Sequence, residues 1–138
     1  MTIIKEIGDK LPELHKQVTQ EQIERYAHAS GDFNPIHLDP EFAKLSSFGR
    51  IVAHGMLILS FLSEMLTTSF GQSWLENGRL KVRFRSPVHP DDVVTAFGSV
   101  TKVTDTDKGH HVACVIGCRN QNGEVVISGE ASLYPNSE

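Results

Sequence analysis

The stretch Gly55-Met56-Leu57-Ile58-Leu59-Ser60-Phe61-Leu62-Ser63-Glu64-Met65-Leu66-Thr67-Thr68-Ser69-Phe70 decides the fold. Its apolar residues Met56, Leu57, Ile58, Leu59, Phe61, Leu62, Met65 and Leu66 fall on all sides of a helical wheel. A helix apolar all round is a buried helix. At 1.5 Å per residue it would run roughly 24 Å through the middle of the molecule. Something must wrap it, and the residues that follow have the right pattern. Leu80-Lys81-Val82-Arg83-Phe84-Arg85 alternates apolar and basic, the period of a half-buried strand. Pro87–Asp92 reads as a turn, Val93–Val103 as a strand with a possible bulge at Gly98. Lys108-Gly109 marks another turn, and Val112–Cys118 a third strand. Asn120-Gln121-Asn122-Gly123 is a hairpin turn, because Asn-Gly accepts positive φ, and Val125–Tyr134 follows as a fourth strand.

Upstream of the apolar helix the signals are helical. Thr19 is a candidate N-cap, and Gln22 three residues on completes a capping box. Ile23, Tyr26 and Ala27 then form one apolar stripe, and Ser30-Gly31 ends the helix. Asp39-Pro40-Glu41 starts a second, short helix with Phe42, Ala43 and Leu45 as its buried side and Gly49 as its stop. A short extended piece near Glu13–Val18 brings the strand count to about five. Helices gathered in the first half and strands in the second predict an α+β fold rather than alternating α/β. The expected architecture is a curved antiparallel sheet of about five strands around one long buried helix.

Composition narrows the function. At roughly 100–200 residues per domain, residues 1–138 are expected to form one domain. A hydrophobic fraction of 39% excludes a wholly disordered chain. Thirteen basic against 17 acidic residues give a net charge of −4, which argues against a nucleic-acid partner. No apolar run reaches the roughly 18 residues of a membrane helix, so no membrane partner is expected. The first ten residues are broken by charge too early for a signal peptide. The only cysteines, Cys114 and Cys118, have a spacing that suits neither a zinc knuckle nor a redox pair. They read as two reduced thiols on one face of a strand. A cytoplasmic enzyme or binding protein remains.

The chemistry is concentrated in Tyr26-Ala27-His28-Ala29-Ser30-Gly31-Asp32-Phe33-Asn34-Pro35-Ile36-His37. The chain leaves a helix at Gly31, and Pro35 holds Asn34 in an extended shape. The result is a fixed irregular turn with Asp32 and His37 near its ends, among apolar Phe33, Ile36 and Leu38. A carboxylate and an imidazole set together in an apolar wall can orient one water and exchange protons near neutral pH. The plainer alternative is an Asx turn beside a solvated histidine. A second element is Ile51-Val52-Ala53-His54-Gly55-Met56, where a glycine opens the buried helix. First-turn amides have no intrahelical partner, and Gly55 lets a substrate carbonyl approach them closely. Glycine chosen only for packing is the plainer alternative here too. An acid/base pair plus an oxyanion site suits adding or removing water next to a carbonyl.

The run Tyr26–Ala43 resembles the hydratase 2 motif of the MaoC-like dehydratase family, which includes (R)-specific enoyl-CoA hydratases, and Ala53-His54-Gly55-Met56 resembles that family's second block. The resemblance extends from about Gly8 to Tyr134. It implies a hot dog fold, usually dimeric, with Asp32 and His37 as the catalytic pair and the Gly55 amide on the thioester oxygen. It makes Asn34 and His54 supporting residues. It implies (R)-specific hydration of trans-2-enoyl thioesters carried on coenzyme A or acyl carrier protein, and the reverse dehydration. It leaves open which of Asp32 and His37 deprotonates the water. No cofactor is expected: the chain has no Gly-rich phosphate loop and no Gly-x-Ser-x-Gly elbow. A metal held by Asp32, His37 and His54 fits no familiar spacing, so none is expected. Two other readings share the fold: an acyl-CoA thioesterase, and a non-catalytic acyl-binding partner subunit. Lys81, Arg83 and Arg85 form one basic face, either a plain solvated surface or a contact for the carrier's phosphates. His110-His111 reads as turn surface. Leu59, Ser63 and Leu66 are candidates for the wall that sets acyl length. A single curved sheet would leave its edges open, so a homodimer joined edge to edge is expected.

Overall fold

The structure, a computed structural model, describes residues 6–135. Met1–Lys5, half of the charge-broken start weighed against a signal peptide, lies outside them. In chain order the elements are β1 (Leu14–Gln17), α1 (Gln20–Ser30), α2 (Pro35–Leu38), α3 (Pro40–Lys44), α4 (Gly55–Phe70), α5 (Gln72–Asn77), β2 (Arg79–Phe84), β3 (Val93–Thr106), β4 (Gly109–Arg119) and β5 (Val125–Leu133). The strands form one antiparallel sheet in the order β1-β3-β4-β5-β2. With α4 packed against β1, β3 and β4, this is the expected α+β hot dog arrangement.

Helix α4 spans the residues its composition predicted. Leu57, Ile58, Phe61, Leu62, Met65 and Leu66 are buried, each contributing roughly 1.5–3 kcal/mol. The wrapping is incomplete, however. Met56 is 57% exposed. Ser60 and Glu64, one and two turns on, share that open side. Glu64 meets Lys16 there at 3.1 Å. Among the described residues the sheet covers one side of the helix rather than encircling it, so its apolar character all round exceeds what this chain buries.

Thr19 caps α1, its hydroxyl accepting from the Gln22 amide at 3.1 Å. The reciprocal arm of the capping box is not made, and the Gln22 side-chain oxygen is buried without a partner. Gly31 closes the helix at φ 80°, the left-handed position that favours glycine. Asp39 caps α3 through Glu41 and Phe42, as predicted. That helix buries only Ala43, though; Phe42 is 49% and Leu45 88% exposed, and it ends at Lys44, well before Gly49. One helical turn lying on the surface has only one inward position to fill.

The five strands match the expected five, with two differences. Gly98 stays in register opposite Ile116, and the irregularity falls instead between Val100 and Lys102. A Cβ at 98 would lie 2.8 Å from the Ile116 side chain, so close packing rather than a bulge accounts for the glycine. The β3–β4 hairpin also runs three rungs further than its apolar alternation, through Thr104–His111, Asp105–His110 and Thr106–Gly109. Both faces of that tip are largely exposed, which erases the period-2 signal. His110 pairs with Asp105 at this surface, while His111 is half-buried against Tyr134.

Cys114 and Cys118 are free and buried on the core face of β4, with Ile116 between them. Burial alone pushes their thiols up, to about 11 and about 12. Their folded pKa values lie above the unfolded 9.0, so their contribution to stability is complete below pH 9 and declines as pH rises through 11–12. We expect Ellman's reagent at pH 8 to leave the folded protein unlabelled and to titrate two thiols after denaturation. Rapid labelling of the folded chain would contradict this placement.

Candidate active site

After Gly31 the chain passes through Asp32–Asn34 into the single turn of α2. The Asp32 Oδ1 accepts from the Asn34 amide at 3.2 Å, and the Asn34 Oδ1 accepts from the Ile36 amide at 3.0 Å. Asn34 thus caps α2, with Pro35 at the first helical position. Asn34 is extended (φ −55°, ψ 129°), as the following proline requires. The segment expected as an irregular turn is therefore a capped helical turn, with the Asx turn of the plainer reading built into its entry. That turn uses only one carboxylate oxygen. The other, Oδ2, lies 3.8 Å from the His37 Nε2.

His37 is not the solvated ring of that alternative. Its side chain is 12% exposed, against 52% for Asp32. Its Nδ1 donates to the Val52 carbonyl at 2.6 Å, which assigns the proton to that nitrogen and turns Nε2 toward Asp32. The Ile36 carbonyl accepts from the Val52 amide at 3.2 Å, so the two segments are stitched together on either side of the ring. Gln20, at the start of α1, donates to the His37 carbonyl at 3.0 Å.

His54 is 2% exposed. Its Nε2 lies 3.0 Å from the Asp32 carbonyl, and its ring stacks on His37 with centroids 3.8 Å apart and planes 25° apart. Ligand atoms of Asp32, His37 and His54 all come within 4.8 Å of one another, a convergence their sequence spacing did not reveal. Each histidine commits one nitrogen to a carbonyl, and the two rings lie nearly parallel.

His54 is the residue before α4, and no side chain caps that helix. The Gly55 amide therefore sits in a first turn with no intrahelical acceptor. A Cβ at Gly55 would meet the Phe84 ring at 3.0–3.4 Å, so glycine here keeps the helix start and the end of β2 in close approach. Beside it lies an apolar cleft of about 310 Å³, walled by Phe48, Val52, Ile58, Phe84, Val88 and Val126. On α4 the cleft touches Gly55 and Ile58, not Leu59, Ser63 or Leu66. Leu66 is fully buried in the core. Of the basic row, only Arg85 lines the cleft, and its Nε donates to the Ser128 hydroxyl at 2.9 Å. Lys81 and Arg83 are exposed on the outer side of β2.

Sequence reasoning missed Val52, Phe48, Phe84 and His89. His89 ties the Pro87–Asp92 turn to the site loop through the Ile51 carbonyl at 2.7 Å. None of these four carries a local signal. Each acts through a partner at least fifteen residues away or through a cleft that exists only once the sheet has formed.

Comparison with known proteins agrees with this fold. The family described as MaoC like domain matches residues 4–120. The (R)-specific enoyl-CoA hydratase of Aeromonas caviae is 34% identical over 127 residues, spanning 91% of this chain and 92% of that protein. A mitochondrial 3-hydroxyacyl-[acyl-carrier-protein] dehydratase of Arabidopsis thaliana is 33% identical over 138 residues, spanning 98% of this chain and 80% of that protein. Among solved structures, an (R)-hydratase from A. caviae superposes with a TM-score of 0.80 at 30% identity, covering 95% of this chain and 97% of that one.

Proposed function

The chain belongs to the MaoC-like domain family, and we propose that it hydrates trans-2-enoyl thioesters to (R)-3-hydroxyacyl thioesters and catalyses the reverse dehydration. One observation carries this reading. Asp32 Oδ2 and His37 Nε2 face each other across 3.8 Å, with the His37 ring resting on His54, the residue before α4. That gap exceeds a direct hydrogen bond and suits one shared water. With Nδ1 protonated, Nε2 and the carboxylate are both acceptors. A water giving one hydrogen to each presents its oxygen lone pairs outward. In hydration that oxygen bonds C3, and the C2=C3 electrons move toward the thioester oxygen, where the Gly55 amide would meet the developing charge. The Asp32–His37 pair takes a proton from the water and returns one to C2, so H and OH are added and nothing else is consumed. The division of these transfers between the two residues is left open. The apolar cleft beside Gly55 would take the acyl chain.

Mixing the protein with crotonyl-CoA tests the reaction class. We expect loss of absorbance at the enoyl-thioester band without release of free thiol. Thiol release with the double bond intact would assign the fold to a thioesterase instead. In this reading the carrier is coenzyme A or acyl carrier protein, and residues 1–138 are taken as a single MaoC-like hot dog domain. Among the described residues no helix is long and apolar enough to cross a membrane. Two free buried thiols suit a reducing compartment, which supports a cytoplasmic location.

The same reading makes the working unit a homodimer. β2 is an edge strand, and Phe84 at its end is exposed. Phe33, Phe42, Phe48 and Met56, in the site segments and at the start of α4, are exposed as well. Apolar surface of this kind beside an open edge marks an interaction face. Light scattering at micromolar concentration should give twice the mass of one chain. A mass of one chain would contradict the dimer.

A further inference from the structure

We infer that His54 is a positioning residue, fixed as its Nε2–H tautomer, whose ring joins the Asp32–His37 turn to the start of α4. The inference rests on the reading of Asp32 and His37 as the acid/base pair. It adds a role for a side chain that touches neither water nor substrate in that reading.

Three contacts of one ring carry it. The Nε2 sits 3.0 Å from the carbonyl of Asp32, an oxygen that can only accept, so Nε2 carries the hydrogen. The face of the ring supports His37 at 3.8 Å, and Tyr26 of α1 packs on it at 4.8 Å and 59°. The Nδ1 is buried and has no hydrogen-bond partner. A bare nitrogen tolerates that position better than an N–H would, because an unpaired buried donor forfeits its full hydration. Moving the proton to Nδ1 would bury such a donor and also point a lone pair at the Asp32 carbonyl. Both ends of the ring therefore select the same tautomer.

The backbone of His54 does the second half of the work. Its carbonyl accepts from Leu57 at 3.1 Å and Ile58 at 3.4 Å, the first bonds of α4. The ring thus holds the backbone of Asp32 and the plane of His37, while the same residue's main chain sets the direction of the Gly55 amide that follows. A displacement of either half relative to the other would spoil alignment at both C3 and the thioester oxygen. A misplacement near 1 Å in such an arrangement can cost about 10²-fold in rate.

Two substitutions separate the ring's duties. His54→Gln keeps a side-chain N–H near the Nε2 position and removes the stacking face. His54→Phe keeps the face and removes the donor. We expect each to lower kcat for crotonyl-CoA hydration about 10–10²-fold, with KM changed less than about threefold, as loss of alignment rather than of uniform binding predicts. Long-range ¹H–¹⁵N correlation spectra of the wild-type protein should show His54 with a protonated Nε2 and a bare Nδ1. An Nδ1-protonated His54 would overturn the proposal whatever the variants do. Wild-type kcat per folded molecule in either variant, with only a lower melting temperature, would reduce His54 to a packing residue and overturn it equally. Absence of hydration by the wild-type protein would remove the enzymatic reading, while the spectrum would still report on the tautomer.

Discussion

Asp32→Asn and His37→Gln should each lose about 10²–10⁴-fold in hydration rate, the usual range for a positioned acid or base, while the protein stays folded. Asn retains an Oδ1 that can accept from the Asn34 amide, the bond that shapes the turn. Gln retains a polar amide of about the ring's length, with its N–H on the Nε2 side that faces Asp32. Neither can exchange a proton in the range where a carboxylate or an imidazole does. Both groups are proposed to hold one water, so the double variant should be little slower than the slower single one, since residues acting as a unit are strongly non-additive. Steady-state kinetics alongside thermal melts check this. A merely structural turn predicts the opposite pattern: lower melting temperatures and near-normal turnover per folded molecule. A single variant retaining more than about a tenth of the activity would fall outside the acid/base range and remove that residue from the mechanism.

Gly55→Pro should be nearly as damaging, by about 10²–10³-fold, because it deletes the proposed oxyanion donor and little else. Gly55 is the first residue of α4, a position where proline costs a helix almost nothing. His54 before it is already at φ −58° and ψ 131°, the extended shape that a following proline imposes. Proline also adds a Cβ beside the Phe84 ring, at 3.0–3.4 Å. Gly55→Ala adds the same Cβ and keeps the N–H, so it isolates the steric part. Phe84 is half exposed and its ring can swing aside, so the alanine variant should remain the more active by about two to three orders of magnitude, the worth of one such donor. Equal rates in the two variants would show that the amide has no part in the reaction.

Much of this molecule could be read from its sequence because the informative signals are local. The composition of α4, the cap at Thr19, the Asp39-Pro40-Glu41 start and the Asn120–Gly123 hairpin each reside within a few residues, and each element appears where it was expected. Asp32 and Asn34 are likewise held by bonds that span two residues, together with one proline, whereas the His37 ring is held by Val52, fifteen positions on. What stayed hidden depends on distant partners. The helical turn α2 is too short to show a period. α5 is a six-residue helix between Gly71 and Gly78, with Trp74 as its buried anchor. The expectation that Phe42 and Leu45 are buried failed because an apolar side chain in a surface turn looks the same in sequence whether it faces the core or an interaction surface. The His37–His54 stack joins residues seventeen positions apart, and no periodicity encodes it.

The configuration at C3 of the product formed from crotonyl-CoA tests the central claim most directly. In the proposed reaction it would be fixed by which face of the double bond meets a water held between Asp32 and His37, and the (R) sense is the one named for the Aeromonas caviae relative. Chiral chromatography of the released 3-hydroxybutyrate should show predominantly the (R) enantiomer. Predominance of the (S) enantiomer would contradict the account.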